Sequence, residues 1–316
     1  MRAPSGTLIA ACVAATWFIW GSTYLAIKFA LVSFPPFLQM GTRFLVAGFV
    51  LLAWARARRS TMPTRRQWRH AAIVGSLMMG NMAGAAYAEQ TVASGLVVAF
   101  AAVTPALITI GRMPFGVRPT RLETAGMLVG IVGALLLIRG AGFATSPAGL
   151  IAVTAAVLAW STGSVLSQHV YPLAPAASGF ASQMICGGAF LMLISLVAGE
   201  TVTWPPQALA AASWAYLVTF GSLVVIPAYM VLLANTSAVL ASSYCFVNPV
   251  IGMLLGVWLG AESVTRNEWF AVAVIVAGVT GIVLGRRSAV AAPAPSSSPL
   301  TSSPRPPSQR PPSQRP

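Results

Sequence analysis

The sequence predicts an all-α integral membrane protein whose ten transmembrane helices form two inverted five-helix repeats. Three observations carry this. Ten apolar runs approach the length of about 20 residues that a helix needs to cross a bilayer. Only 8% of the 316 residues are charged and 57% are hydrophobic, where soluble domains hold about 25% charged residues. The two halves also share residues at a nearly constant offset.

The runs are Leu8 to Lys28, Pro36 to Ala55, His70 to Ala88, Val92 to Gly111 and Leu122 to Ile138, then Ala148 to Gln168, Ala176 to Ala198, Ala212 to Leu233, Ala238 to Leu259 and Glu268 to Leu284. The first begins like a cleaved signal, with a basic start and small residues. It is nevertheless about 20 residues long and many runs follow, so it reads as an uncleaved span. Short linkers make consecutive spans alternate in direction.

The 19 basic residues fix the orientation expected of this ladder. With the first residue in the cytoplasm, that side holds Arg2, the arginines from Arg56 to Arg69, Arg112, Arg118, Arg121, Arg286, Arg287 and three beyond. The other side holds only Arg139 and Arg266, while Lys28 and Arg43 fall within spans. Positive residues stay inside, so both termini are expected in the cytoplasm of a multi-pass inner (plasma) membrane protein. The net charge of +14 is therefore topological and gives no reason to invoke nucleic acid.

The offset between halves is 140 for Trp20 with Trp160 and Pro35 with Pro175, 144 for Thr104-Pro105 with Asn248-Pro249, and 145 for Thr120-Arg121-x-Glu123 with Thr265-Arg266-x-Glu268. Five spans per copy is an odd number, so the second copy enters the membrane upside down. Such inverted repeats let two bundles exchange roles around a midplane site, which argues for transport by alternating access. The expected units are residues 1–140, residues 141–287 and a Pro/Ser-rich cytoplasmic tail, 288–316, too poor in large apolar residues to order itself. Pro105 and Pro249 sit mid-span, where proline removes a backbone bond and bends the helix. Each is a fixed bend or a working hinge.

The stock for chemistry is small: five glutamates, no aspartate and two histidines. No catalytic residue, metal site or cofactor is expected, and a lipid-modifying membrane enzyme lacks its nucleophile and base. No GxxxxGK[ST] phosphate loop is present to use ATP. Cys12, Cys186 and Cys245 lie in apolar runs and read as packing. His70 and His169 read as solvated residues at span ends on the basic side.

The stretches "WGSTYLAIKFAL", "PPFLQMGTRFLVAGFVLL", "AEQTVASGLVVAF", "TPALIT" and "NPVIGMLLGVWLGAE" resemble the EamA-type transporters of the drug/metabolite transporter (DMT) superfamily, over about residues 8 to 286. The resemblance implies a ten-helix inner-membrane exporter with a cavity between two inverted repeats. It implies amino acids, other metabolites or toxic compounds as cargo, without fixing which. The expected partners are a small-molecule substrate and membrane lipids. The oligomeric state is left open, a monomer being one option, and a non-transporting membrane subunit is the remaining alternative.

At 100° per residue Trp17, Trp20, Tyr24 and Lys28 share one face of the first span within about 80°. Lys28 precedes Pro35 by seven residues and Arg43 follows Pro36 by seven, so both cations sit about 10 Å below the outer turn. Cations at that depth face the bundle interior, a wet cavity, or the interface by snorkelling. Glu89 reads as the only acidic residue near them and the only candidate for proton coupling, with flow of substrate down its own gradient as the alternative. In the functional reading Lys28 or Arg43 attracts a substrate carboxylate above an aromatic wall of Trp20 and Tyr24, with Trp17 more a packing residue. In the competing reading Lys28 snorkels, Arg43 pairs with Glu89 and the aromatics pack. Trp160, Gln183, Tyr229, Ser243, Tyr244 and Asn248 are further wall candidates against interhelical hydrogen bonding. Tyr87 and Gln90 are candidates at the outer mouth.

Overall fold

The computed structural model describes residues 5–139, 146–236, 240 and 243–291. All regular structure among them is helical. Nine segments are long and apolar enough to cross a membrane, and Tyr244–Leu259 is a further apolar helix of 16 residues. Phe18, Leu128, Ile151, Leu193 and Phe270 are each more than half exposed on these helices. So much exposed apolar surface requires lipid rather than water around it. This is a multi-pass membrane protein.

Polar signals set the helix ends as often as apolar runs do. Helix α1, Gly6–Ala30, is capped by Ser5, whose hydroxyl accepts from Leu8 N at 3.3 Å. Helix α2, Pro36–Ala57, has proline in its first turn, and its Phe37 and Leu38 amides donate to the Glu200 carboxylate at 3.2 and 2.7 Å. Helix α3, Arg65–Ala88, starts at a capping box formed by Thr64 and Gln67, before the apolar run begins. His70 is thus a helix residue, buried rather than solvated, with Nδ1 2.8 Å from Pro172 O. The fourth span is broken into α4, Ser94–Ala101, and α5, Thr104–Gly111, with Pro105 in the first turn of the second piece. There the missing proline N–H costs no hydrogen bond.

Helix α6, Arg121–Ile138, begins at a Thr120–Glu123 capping box. Helices α7, Pro147–His169, and α8, Ala176–Val197, follow. His169 stacks on Phe115, centroids 4.5 Å apart. The eighth span comprises α9, Ala208–Val218, a π-helical segment Thr219–Val224, and α10, Val225–Asn235. Helix α11, Tyr244–Leu259, runs unbroken through Pro249, unlike the break at Pro105. The rest of the expected ninth run, apart from Leu240 and Ser243, lies outside the described residues. Helix α12, Arg266–Ala291, starts at Thr265, whose N–H donates to Glu268 Oε2 at 2.7 Å while Glu268 N donates back to the Thr265 hydroxyl at 3.3 Å. It continues past residue 287, the expected end of the second unit, and the remainder of the tail lies outside the described residues.

Helix α2 packs on α8, α6 on α12, and α4 on α11. Helix α3 packs on α7 and α8, and α1 packs on α11, α9 and α10. The apolar interior is divided into two main clusters. One gathers side chains from α4, α5, α6, α7, α11 and α12 with Ala85 and Ala88 at the end of α3; the other joins α2, the rest of α3, α8 and the eighth span. Helix α1 contributes to both, with Tyr24 in the first and Ile27 and Ala30 in the second. Polar side chains buried inside such a bundle lie where the packed units meet.

Candidate functional site

The polar face of α1 is matched residue by residue on its neighbours. Trp17 Nε1 donates to Ser243 Oγ at 2.8 Å. Trp20 lies between two tyrosines, with centroids 5.2 Å from Tyr229 on α10 and 4.7 Å from Tyr244 on α11. Tyr229 and Tyr244 meet edge to face at 5.8 Å. These separations suit aromatic pairing, worth about 0.5–1.5 kcal/mol per pair beyond burial. With its amide oriented to satisfy its neighbours, Asn248 donates to Tyr244 O at 3.2 Å and Trp17 O at 3.1 Å. Trp20, Tyr229, Tyr244 and Asn248 therefore form one aromatic and polar cage from three helices.

One turn further along α1, Tyr24 is buried and feels the charges of both Glu89 and Arg43. Arg43, only 3% exposed, does not pair with Glu89. Its Nε donates to Ser222 Oγ at 3.1 Å and one terminal nitrogen donates to Gly221 O at 3.0 Å, both in the π-helical segment of the eighth span. The other terminal nitrogen lies 3.7 Å from Met40 Sδ. A π turn widens the helix and releases carbonyls from the α-helical ladder, and here Arg43 takes one of them. A Cβ on Gly221 would lie 2.9 Å from the guanidinium, so the missing side chain admits Arg43.

Lys28 is not a snorkelling cation. Its Nζ lies 2.6 Å from Glu262 Oε1, in the loop between α11 and α12, and the Lys28 side chain stays one-third exposed. Glu262 also accepts from Ser94 N and Ser94 Oγ, both at 2.8 Å, and from Gly95 N at 3.2 Å. The carboxylate thus caps the N-terminus of α4, where unpaired amides and the helix dipole favour an anion. Burial alone would push its pKa up, but Lys28 and the Ser94 and Gly95 donors outweigh that and hold it below the ordinary carboxylate value.

Glu89, at the end of α3, is therefore not the only acidic residue near the cations. It is 4% exposed, and neither carboxyl oxygen has a hydrogen-bond partner among the described residues. Burial foremost, then the negative charge of Glu262, push its pKa well up, with Lys28 pulling the other way. The protonated form is favoured.

Other sequence candidates lie apart from this cluster. Tyr87 is 41% exposed and, with Phe37 and Phe190, lines an apolar surface groove of ≈ 410 Å³ against α7 and α8. Gln90 is exposed and its amide donates to Tyr87 O at 3.3 Å. Gln183 is buried where α8 meets α3, with Nε2 2.8 Å from Met78 Sδ. Trp160 is half-buried on α7. Among the described residues no three His, Cys, Asp or Glu side chains are grouped as a metal would need. Ser94, Gly221, Ser222 and Glu262 were missed in the sequence. A glutamate in a loop on the same side as Lys28 was the available signal for Glu262.

The model of the EamA-like transporter family matches the chain twice, over residues 7–139 and 147–284. The chain belongs to the EamA-like transporter family. It is 36% identical over 274 residues to the uncharacterized inner membrane transporter YedA of Escherichia coli K12, covering 86% of this chain and 89% of YedA. It is 22% identical to a probable amino-acid metabolite efflux pump of the same organism, covering 85% of this chain and 92% of that protein. A protein of known crystal structure, 23% identical, shares the fold with a TM-score of 0.64 over 90% of this chain and 99% of that one. Within the two EamA-like segments, the Thr120–Glu123 and Thr265–Glu268 capping boxes occupy equivalent places, each opening the last helix of its segment.

Proposed function

We propose that this EamA-like protein is a secondary transporter that exports amino acids or similar small metabolites by alternating access, with two inverted repeats and both ends of the chain in the cytoplasm. Helix packing supports the inverted arrangement. Exchanging each helix for its counterpart in the other half maps α3 on α7 to the eighth span on α1, and α1 on α11 to α7 on α5. The pairs α2–α8, α6–α12 and α4–α11 map onto themselves. The skewed distribution of arginines supports the orientation.

The observation that carries the substrate class is Arg43. It is a buried cation with no carboxylate within 4 Å among the described residues, and it acts electrostatically on Tyr24, one turn from Trp20 on α1. Three of its five N–H donors are engaged, which leaves two for a substrate carboxylate. Lys28, on this reading, becomes available only when the Glu262 clasp opens. Pro105 sits at a break between two helices and is the better hinge; Pro249 lies within a continuous one. Multidrug efflux is the second reading, favoured by the Trp20–Tyr229–Tyr244 cage, whose ring faces suit planar cations.

Uptake of radiolabelled threonine, phenylalanine and methyl viologen into proteoliposomes separates the two. Saturable amino-acid transport, lost in Arg43→Ala with helical content retained, is expected. Transport of methyl viologen alone, or amino-acid transport untouched by Arg43→Ala, rejects the assignment.

A further inference from the structure

The five glutamates of the chain divide four to one. Glu123 and Glu268 close the capping boxes of α6 and α12, Glu200 holds the first amides of α2, and Glu262 holds those of α4. Each is an anion at a helix N-terminus, where an anion belongs. Glu89 stands instead at the C-terminal end of α3, where the helix dipole disfavours negative charge, with both oxygens buried and without a hydrogen-bond partner among the described residues. A carboxylate left so is strongly disfavoured. A carboxylic acid there costs far less.

The groups facing Glu89 are few. Helix α1 presents Tyr24 and Lys28, and the loop before α12 presents Glu262. Arg43 of α2 acts on Tyr24 and is bound to the eighth span. On its own helix Tyr87 turns outward, and Glu200 is committed to α2. Lys28 is the only lysine in the chain, and two carboxyl groups compete for its charge. Glu262 holds it through a 2.6 Å contact, supported by Ser94 and Gly95.

We propose that Glu89 is a proton-binding site, and that opening of the Lys28–Glu262–Ser94 clasp turns Lys28 toward Glu89 and releases that proton to water on the side then exposed. On closing, Lys28 returns to Glu262 and Glu89 takes up a proton from water. One O–H bond breaks on opening and one forms on closing, with Lys28 supplying the counter-charge in both states. Exchange of this proton for substrate rests on the transport reading above, whereas the proton site itself does not.

Two measurements test it. Infrared titration of the purified full chain is expected to show a protonated carboxyl band in the neutral range, absent in Glu89→Gln. The midpoint falls by a pH unit or more in Glu262→Gln, which removes the neighbouring charge and frees Lys28. A band that persists in Glu89→Gln, or a midpoint that Glu262→Gln does not move, overturns the proposal. Glu89→Asp, which keeps the acid, checks against a folding defect by restoring the band. In proteoliposomes an acid interior of one pH unit supports up to about tenfold accumulation of threonine or phenylalanine in a one-for-one exchange, and Glu89→Gln abolishes that response. Wild-type counterflow at equal pH with no response to the gradient refutes the coupling alone. Absence of any counterflow refutes the transport reading, and the infrared titration still decides the proton site.

Discussion

Replacing Glu262 removes one acceptor from four donors at once. In Glu262→Ala the amides of Ser94 and Gly95, both buried at the start of α4, lose their partner. Each buried, unsatisfied donor costs about 1–3 kcal/mol. The Ser94 hydroxyl rotates to another acceptor at little cost. Lys28, one-third exposed, recovers water, so its lost ion pair adds no more than about 1 kcal/mol. Glu262→Ala should therefore destabilise the protein by about 2–7 kcal/mol. Glu262→Gln keeps one carbonyl acceptor and should cost about 1–2 kcal/mol. A double-mutant cycle of Lys28→Met with Glu262→Gln should return a coupling of about 1 kcal/mol. The assay is reversible unfolding in mixed micelles. Its pH dependence has a definite sign. The Glu262 pKa is depressed in the folded protein, so the stability it adds is complete above the ordinary carboxylate value of about 4.3. It disappears as pH falls through the lower folded value. Measured in a Glu89→Gln background, which removes the second titrating carboxyl group, the gap between the chains with and without Glu262→Gln should thus stay constant from pH 8 to 5 and close in acid. A cost below about 1 kcal/mol for Glu262→Ala, or a gap that widens in acid, would refute the reasoning.

Glu89 carries the opposite sign. Its raised pKa means the folded protein binds more protons than the unfolded chain, so the melting temperature of wild type relative to Glu89→Gln should decline as pH rises above about 4.3. Thr120→Ala and Thr265→Ala each remove a capping-box hydroxyl and should each cost about 1 kcal/mol in thermal unfolding, additively, since the caps belong to different helix termini. Gly221→Ala brings a methyl group within 2.9 Å of the Arg43 guanidinium and should cost about 1–3 kcal/mol, while Ser222→Ala removes one acceptor and should cost about 1 kcal/mol. Trp20→Phe should destabilise less than Trp20→Ala, because one ring still contacts Tyr229 and Tyr244; both are read from melting in detergent.

The spans were legible because a bilayer demands long apolar runs, and the structure follows them to within a few residues at most ends. The start of α3 was not, since Thr64 and Gln67 set it while the run of arginines hides it from an apolar window. The threonine–glutamate matches between halves were visible as a repeat, and their role as paired capping boxes emerged only with the hydrogen bonds. The aromatic cage was partly legible: helical spacing places Trp20 and Tyr24 on one face, but nothing local brings Tyr229 and Tyr244 to Trp20. Least legible were the contacts spanning the chain. Lys28 meets Glu262 across 234 positions and Arg43 meets Ser222 across 179. Local propensity gives no sign that residues 219–224 widen into a π turn, because its acceptors are matched to a guanidinium from another helix.

The pairing of α6 with α12 also has a consequence. Gly126 lies against the backbone of Gly278 and Ile282, and Gly278 lies against Gly126 and Gly130. Backbones held that near leave no gap to slide through, and any methyl group added at position 126 or 278 would act as a wedge. The two closing helices of the halves are thereby locked into a stiff mast at the margin of the bundle. Motion must be absorbed by the less tightly bonded remainder, and random mutagenesis should find these two positions intolerant even of alanine.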